Sequence, residues 1–303
     1  MRAALIVILI VASIAFGSQA AQSQTGFASP TQHVTLKWLG TAGWEIQIRQ
    51  TRILIDPFLT RQQAVASEEW KTDEEAVLRV VSGADYIFAG HSHADHIGDI
   101  PFIAKRFGAK ILGSRTTVNL SLSAGVDKAQ LTTISGGEKL DFKDFLVQVI
   151  KSQHGILTRD GQKRQPRSAE ITRPLSGPIL GKHFVEGGSY VYYFTFGKLS
   201  LLHQSTGNFI EENLQGLEPD IAILAENSNY DWTAALKILR PKTVVVHHYD
   251  DWRVPLSSGM TAAVRRRAQR LEKDVKSVDH NIKVIIPDFL QTLTLESYRA
   301  AAR

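Results

Sequence analysis

Residues 91–96 read His-Ser-His-Ala-Asp-His, which places three imidazoles and one carboxylate within six positions. Apolar residues at 86–89 predict a short buried strand before this motif, and residues 100–107 predict a helix after it. Imidazole and carboxylate groups are ligands that Zn²⁺ binds in proteins. We therefore expect His91 and His93 to share one ion, and Asp95 and His96 to reach a second ion about 3.5–4 Å away.

The other ligands have to come from histidines at the ends of predicted strands. His154 follows a strand at 146–150, and His203 ends a strand, with Ser205 just beyond it. His247 and His248 follow a strand at 243–246. Because neighbouring side chains of a strand point to opposite faces, only one of these two should face the site. The remaining histidines have no comparable setting: His33, His183 and His280.

The rest of the chain alternates strand and helix patterns without a repeat or a linker, which predicts one domain with mixed strands and helices. Helices are predicted at 68–81 and at 260–275, among other places. We interpret the basic face of the second helix as solvated surface, formed by Arg265, Arg266, Arg267 and Arg270.

A segment at 155–188 is rich in glycine and proline and predicts a long irregular insertion. Such segments are lids, binding loops or solvated loops, and the sequence leaves these alternatives open. An anionic substrate would find several basic residues here: Arg159, Lys163, Arg164, Arg167 and Arg173.

The amino-acid composition excludes several classes of function. The chain has 303 residues, of which 43% are hydrophobic and 21% charged, with a net charge of +5. This is an ordinary globular composition, and its positive charge is too small and too scattered to indicate nucleic-acid binding. The absence of cysteine excludes disulfides, thiolate zinc sites and cysteine nucleophiles.

The amino terminus has the pattern of a secretory signal peptide. Arg2 precedes an apolar run at 3–16, and small residues follow at Ser18 and Ala20. We predict cleavage after Ala20, which leaves residues 21–303 as the mature domain in the periplasm or secreted, without a stable membrane anchor. The alternative is an uncleaved anchor, although the run is shorter than the roughly 20 residues of a spanning helix.

Residues 91–99 (HSHADHIGD) resemble the metal motif of the metallo-β-lactamase superfamily. Residues 39–44 and 53–57 resemble the opening strands of its ascorbate-6-phosphate-lactonase-like branch, and residues 218–224 and 239–249 resemble its closing half. The resemblance covers roughly residues 34–290. It implies an α+β fold: a single-domain, four-layer αββα sandwich with two sheets inside and helices outside.

The resemblance also implies two ligand sets. His91, His93 and His154 would bind the first metal, and Asp95, His96 and His248 the second. Tyr249, directly after the histidine, favours His248 over His247 as the ligand. Asp56 and Tyr249 are expected to support the ligands or to contact substrate.

One position departs from the branch pattern. Ser205 stands where the branch has an aspartate that bridges the two metals. Metallo-β-lactamases with an HxHxDH motif are similar in having serine there, and they bind two zinc ions, which favours Ser205 as a hydrogen-bonding residue beside the ligands. The alternative is a weak or empty second site.

The resemblance implies a metal-dependent hydrolase that uses a zinc-bound hydroxide to cleave an ester, lactone or phosphodiester bond of a small molecule, and the predicted signal peptide implies that it is exported. Asp95 would orient the nucleophile and carry a proton to the leaving group. Two Zn²⁺ ions are expected, with Mn²⁺ or Fe²⁺ as alternatives because the same ligands serve all three. The alternative functions are a true β-lactamase and a non-catalytic metal- or ligand-binding protein. The sequence shows no oligomer interface.

Overall fold

The computed structural model describes residues 33–159, 162–164, 167–227 and 230–295. The predicted signal peptide at 1–20 lies outside these residues, as do the side chains of Arg159, Lys163 and Arg164. Within the described part, no helix is both long enough and apolar enough to cross a membrane.

Sixteen strands occur among the described residues, in this order: β1 Val34–Gly40, β2 Gly43–Ile48, β3 Thr51–Ile55, β4 Tyr86–Phe88, β5 Lys110–Gly113, β6 Leu131–Thr133, β7 Lys139–Phe142, β8 Phe145–Ser152, β9 Leu157–Arg159, β10 Gln162–Arg164, β11 Ser189–Phe196, β12 Leu199–Gln204, β13 Ile221–Ala225, β14 Thr243–His247, β15 Lys283–Ile285 and β16 Thr292–Leu295. The α-helices of the same part are α1 Glu74–Val80, α2 Ala94–Ile97, α3 Ile100–Phe107, α4 Arg115–Ser123, α5 Glu211–Leu214, α6 Thr233–Leu239 and α7 Ala262–Val278.

The two seven-stranded sheets have a similar topology. The first has the order β16-β1-β2-β3-β4-β5-β6 and the second the order β15-β14-β13-β12-β11-β8-β7. In each sheet, antiparallel strands on one side give way to parallel strands on the other, at β3–β4 and at β12–β13. The carboxyl ends of parallel strands are where α/β sheets commonly place ligands.

Two apolar cores show how the layers pack. Side chains of both sheets, such as Trp44, Ile46, Val191 and Phe194, form one fully buried cluster between the sheets. A second cluster joins the outer face of the first sheet to helices α1, α3 and α4, with Val77, Ile103 and Leu120 among its members. Helices α6 and α7 cover the second sheet. This is the four-layer αββα sandwich, and it confirms the predicted fold class.

The predicted helix at 68–81 is wrong in its first half, because helix α1 begins only at Glu74. Asp73 caps it by accepting a hydrogen bond from the backbone of Ala76, at 2.9 Å. Before the cap, Glu69 pairs with Leu180 as an isolated β-bridge, and Trp70 donates its backbone N–H to Ile179. The segment 155–188 therefore takes the backbone hydrogen bonds that an earlier helical turn would need.

The same segment contains a short antiparallel hairpin of β9 and β10. Further along it, the backbone of Glu186 accepts a hydrogen bond from Ser92, at 2.8 Å. This contact ties the end of the insertion to the histidine motif.

Candidate metal centre

The loop from strand β4 into helix α2 carries the motif, and Gly90 fixes its path. A Cβ atom at Gly90 would lie 1.8 Å from Oγ of Ser205 and 2.8 Å from Oδ2 of Asp56. The backbone N–H of Gly90 donates to Oδ1 of Asp56 at 2.6 Å. Only glycine therefore allows the chain to approach the end of strand β12 this closely.

Ser92 points away from its histidine neighbours. Its hydroxyl lies 3.0 Å from Oγ of Ser114 and 2.7 Å from Oγ1 of Thr117, at the start of helix α4. This anchor leaves His91 and His93, one position to either side, to face the same point.

His91, His93 and His154 form the first group, with ligand atoms all within 4.8 Å of one another. Nε2 of His91 lies 3.0 Å from Nδ1 of His93. Nδ1 of His154 is 2.8 Å from the carbonyl of Gly155, to which it donates, so Nε2 keeps a free lone pair. The predicted first ligand set is thus brought together.

Asp95, His96 and His248 form the second group, also within 4.8 Å. Oδ2 of Asp95 lies 3.6 Å from Nε2 of His96 and 3.6 Å from Nε2 of His248. Nδ1 of His96 donates to Oδ2 of Asp56 at 2.9 Å, which orients the ring as a carboxylate commonly does for a metal-binding histidine. The rings of His91 and His96 are 3.7 Å apart between centroids, so the two groups are adjacent.

The other strand-end histidines support the sheets instead. Nδ1 of His247 accepts a hydrogen bond from the indole of Trp44 at 3.1 Å, and its Nε2 donates to the carbonyl of Gln204 at 2.9 Å. His203 donates from Nε2 to the carbonyl of Ala42 at 3.1 Å. His248 adopts a left-handed backbone (φ 56°), which turns its side chain to the site just after strand β14 ends.

The three supporting residues differ in what they contact. Asp56 bridges Gly90 and His96, as described above. Ser205 is buried beside Gly90, and its Oγ has no hydrogen-bond partner among the described residues. Tyr249 stacks on Trp38, with centroids 5.0 Å apart, and its hydroxyl donates to the carbonyl of Pro287, so the hydroxyl serves packing.

An open cleft of about 720 Å³ lies over both groups. Five of the six predicted ligands line it, namely His93, Asp95, His96, His154 and His248. The rest of its wall includes residues that the sequence did not assign to the site: Glu226, Asn227, Trp252, Arg253, Arg266, Arg267 and Arg270.

The sequence predicts the basic face of helix α7 as solvated surface, and Arg266 and Arg267 are indeed exposed. The sequence did not show that these two arginines and Arg270 also line the cleft. Their spacing shows that they share a helix face, but the sequence does not show what that face meets. In the insertion, neither Arg167 nor Arg173 lines the cleft, and Arg167 donates to the carbonyl of Gly181 at 3.0 Å.

Comparison with known proteins places this arrangement in a family. A family model described as "Beta-lactamase superfamily domain" matches residues 35–248. The chain belongs to the metallo-β-lactamase superfamily. A UPF0173 metal-dependent hydrolase from Symbiobacterium thermophilum is 29% identical over 243 residues, which cover 76% of this chain and 91% of the relative. Another from Methanopyrus kandleri is 23% identical over 260 residues, covering 83% and 95%.

A solved structure has the same fold. A metallo hydrolase from Ignicoccus hospitalis is 20% identical, with a TM-score of 0.57, and the match covers 87% of this chain and 99% of that chain.

Burial and mutual repulsion favour the neutral form of four of the five site imidazoles, all except His96. Burial, together with neighbouring histidines, holds the pKa of His91 well below its usual value. Burial is also the main cause that lowers the pKa of His93 to about 3 and that of His248 to about 4. It lowers the pKa of His154 as well. A neutral imidazole is the form that binds a metal.

In the second ligand group, burial is outweighed by the neighbouring charges together, which set the direction of the pKa shifts of His96 and Asp95. Burial opposes a charge on His96, but the nearby carboxylates of Asp95 and Asp56 outweigh it and raise the pKa of His96. Burial likewise opposes ionisation of Asp95, yet His96 and His248 outweigh it and lower the pKa of this carboxyl. Asp95 is therefore an anion at neutral pH.

The residues fit a pair of divalent ions. Each group offers three ligands of the type that zinc binds, which leaves room for water or substrate. Nδ1 of His91 is buried without a hydrogen-bond partner among the described residues, which is an unsatisfied lone pair or N–H inside the cluster. Five histidines and an aspartate packed together would be poorly satisfied without a cation.

Proposed function

We propose that the protein is a metal-dependent hydrolase that binds two divalent ions. Zn²⁺ is the metal we expect, and Mn²⁺ and Fe²⁺ are alternatives. The observation that carries this proposal is the pair of adjacent three-ligand groups under one open cleft. The names of the relatives from Symbiobacterium and Methanopyrus, both metal-dependent hydrolases, support it.

The chemistry is divided between the ions and the protein. When bound, such ions supply Lewis acidity and make water a nucleophile near neutral pH. His91, His93 and His154 would hold one ion, and Asp95, His96 and His248 the other. Asp56 keeps the His96 ring in the orientation that directs Nε2 into the site.

Asp95 is the catalytic residue of the proposal. Its carboxylate is 19% exposed and lines the cleft. Because it is ionised at neutral pH, it can accept a proton from the attacking water and then donate it to the leaving group. The bond cleaved is an ester, lactone or phosphodiester of a small molecule, and an anionic substrate suits the arginines of the cleft wall.

The test is a panel of aryl esters, lactones and phosphodiesters, assayed with metal-loaded protein and after chelation. We expect turnover that chelation abolishes and that zinc restores. Asp95→Ala should lower it by at least about 100-fold, within the range for loss of an acid–base group. Asp141→Ala, at an exposed aspartate of strand β7, is the matched control and should retain full activity. Full activity of Asp95→Ala would contradict its role.

The second candidate is a true β-lactamase, which Ser205 favours through its resemblance to HxHxDH-type enzymes. Nitrocefin hydrolysis with zinc discriminates it from an esterase or lactonase. If every substrate of the panel and nitrocefin fail with metal bound, the protein is a metal- or ligand-binding protein.

We also propose that residues 1–20 direct export to the periplasm or beyond, with cleavage after Ala20. The intact mass of the protein recovered outside the cytoplasm tests this. A mass that begins at residue 21 supports it, and a mass that includes residues 1–20 contradicts it.

A further inference from the structure

Helix α7 forms one wall of the cleft over the two metal groups. It packs on strand β14, which leads into His248, and on helix α6. Its buried face consists of Ala268, Leu271 and Val275. Arg266 and Arg270 are four positions apart with Arg267 between them, so their side chains leave the helix together, and all three line the cleft.

Most charges of the cleft wall neutralise one another. Arg270 makes two hydrogen bonds to the carboxylate of Glu226, at 2.9 and 3.0 Å. Arg253 makes two to Asp251, both at 2.9 Å. Asp250 accepts a hydrogen bond from the buried Arg61 at 2.7 Å.

Arg266 and Arg267 are the two arginines of the cleft wall that no carboxylate pairs with among the described residues. Both are exposed, and neither has a hydrogen bond or an ion pair with any residue that the structure describes. Arg267 lies near enough to Asp251 to contribute to the lowered pKa of that carboxyl, after the hydrogen bonds from Arg253. By contrast, Arg265 on the same helix is outside the cleft and pairs with Asp288.

Two unpaired guanidinium groups on the wall of the cleft are suited to bind an anion. Guanidinium is planar, always charged and weakly hydrated, and it binds carboxylate and phosphate oxygens in pairs. An oxyanion bound here would share the cleft with the predicted metal ligands.

We propose that Arg266 and Arg267 bind an oxyanion of the substrate, a carboxylate or a phosphate, that is separate from the bond being cleaved. This rests on the hydrolase function proposed above, because it assigns a substrate class to the same cleft. The charge that recognises the substrate is then on helix α7.

The first experiment measures binding alone. Benzoate, phenylphosphonate and neutral benzamide are titrated calorimetrically into metal-loaded protein and into the variant Arg266→Gln/Arg267→Gln. We expect the variant to bind the two anions at least ten-fold more weakly and to bind benzamide as before. The anion whose affinity falls more in the variant shows whether the arginines prefer a carboxylate or a phosphate. Equal anion binding by both proteins would overturn the proposal.

The control removes two charges from the same helix outside the cleft. Arg265→Gln/Lys273→Gln has the same change in net charge, and Lys273 is exposed. It should bind both anions as the unmodified protein does. An equal loss in this control would mean that the effect is long-range charge and not a site.

The second experiment measures turnover of the 4-nitrophenyl esters of 4-methylbenzoic, 4-carboxybenzoic and 4-phosphonobenzoic acid. We expect the double variant to lower kcat/KM at least ten-fold for the charged esters, mainly through KM, and less than two-fold for the neutral ester. If the anions bind through the arginines but neither these esters nor any substrate of the panel above is cleaved, the hydrolase function fails and the anion site stands. If esters are cleaved without any preference for charge, the hydrolase function stands and the anion site fails.

Discussion

Asp56 links two parts of the centre through one carboxylate. It accepts hydrogen bonds from the backbone of Gly90 and from the ring of His96, at 2.6 and 2.9 Å. Asp56→Asn keeps the size of the side chain but removes the charge that favours the donor form of Nδ1 in His96. We expect the affinity of the second metal to fall about 10- to 100-fold, as for other groups that orient a ligand.

Titration of zinc into metal-free protein measures this effect. Asp141→Asn is the matched control because Asp141 is exposed on strand β7. Unchanged affinity in Asp56→Asn would show that His96 is oriented without the carboxylate.

Gly90 is expected to tolerate no side chain, because a Cβ atom would overlap Oγ of Ser205 at 1.8 Å. Gly90→Ala should lower the free energy of unfolding by about 1–3 kcal/mol, the usual cost of overpacking. Adding Ser205→Gly should recover most of this loss. Gly177→Ala, where a Cβ would meet nothing within 4 Å, is the control. Denaturant unfolding of the four proteins measures the effect, and a fully stable Gly90→Ala would contradict the packing.

Arg61 connects the turn between strands β1 and β2 to the loop after strand β14. Its guanidinium pairs with Asp250 and donates to the carbonyl of Asp251, at 2.7 and 2.6 Å. Both side chains of the ion pair are 1% exposed. Arg61→Met leaves Asp250 buried without its partner, so we expect a loss of about 3–5 kcal/mol in the free energy of unfolding.

The double variant Arg61→Met/Asp250→Asn should be less destabilised, because the uncompensated charge is then absent. Arg79→Met, which breaks an exposed pair with Glu75, should cost less than about 1 kcal/mol. Equal losses for Arg61→Met and Arg79→Met would show that the buried pair does not stabilise this loop.

The local elements were more predictable from sequence than their packing. Helix α3 was predicted correctly at 100–107, since Gly108 ends it in a left-handed conformation (φ 74°). Helix α1 was predicted too long, because residues 68–73 pair with a segment more than 100 positions away. The role of helix α7 depends on the same kind of distant contact.

The metal ligands show the same difference between local sequence signals and distant contacts. His91, His93, Asp95 and His96 lie within one short loop, so their spacing alone indicates shared ions. His154 and His248 required a family resemblance, because strands far apart in sequence bring them in. The contact between Gly90 and Ser205 had no signal in the sequence: Ser205 stood out for its departure from the branch pattern, but nothing indicated that it packs against Gly90.

The whole molecule is expected to lose stability in acid partly through His203. This ring is buried at the interface of the two sheets, Nε2 donates to Ala42, and Nδ1 has no partner among the described residues. Burial lowers the pKa of His203 to about 4, below its usual value of 6.5. The unfolded chain therefore takes up a proton between these pH values that the folded protein does not.

The free energy of unfolding then falls as the pH drops through this window, by up to about 1.4 kcal/mol per pH unit for one proton. His203→Gln should reduce the slope between pH 6.5 and 4, while the exposed His280→Gln serves as the control. Denaturant unfolding across this pH range measures it. An unchanged slope in His203→Gln would show that this histidine does not contribute.

The two groups of three side chains are each expected to bind one ion, and the proposed chemistry depends on both. Elemental analysis of protein purified without chelators and then loaded with zinc tests it directly. We expect about two ions per chain, and about one in each of the variants His93→Gln and His248→Gln, which damage one group each. One ion or fewer in the unmodified protein, or no loss in either variant, would contradict it.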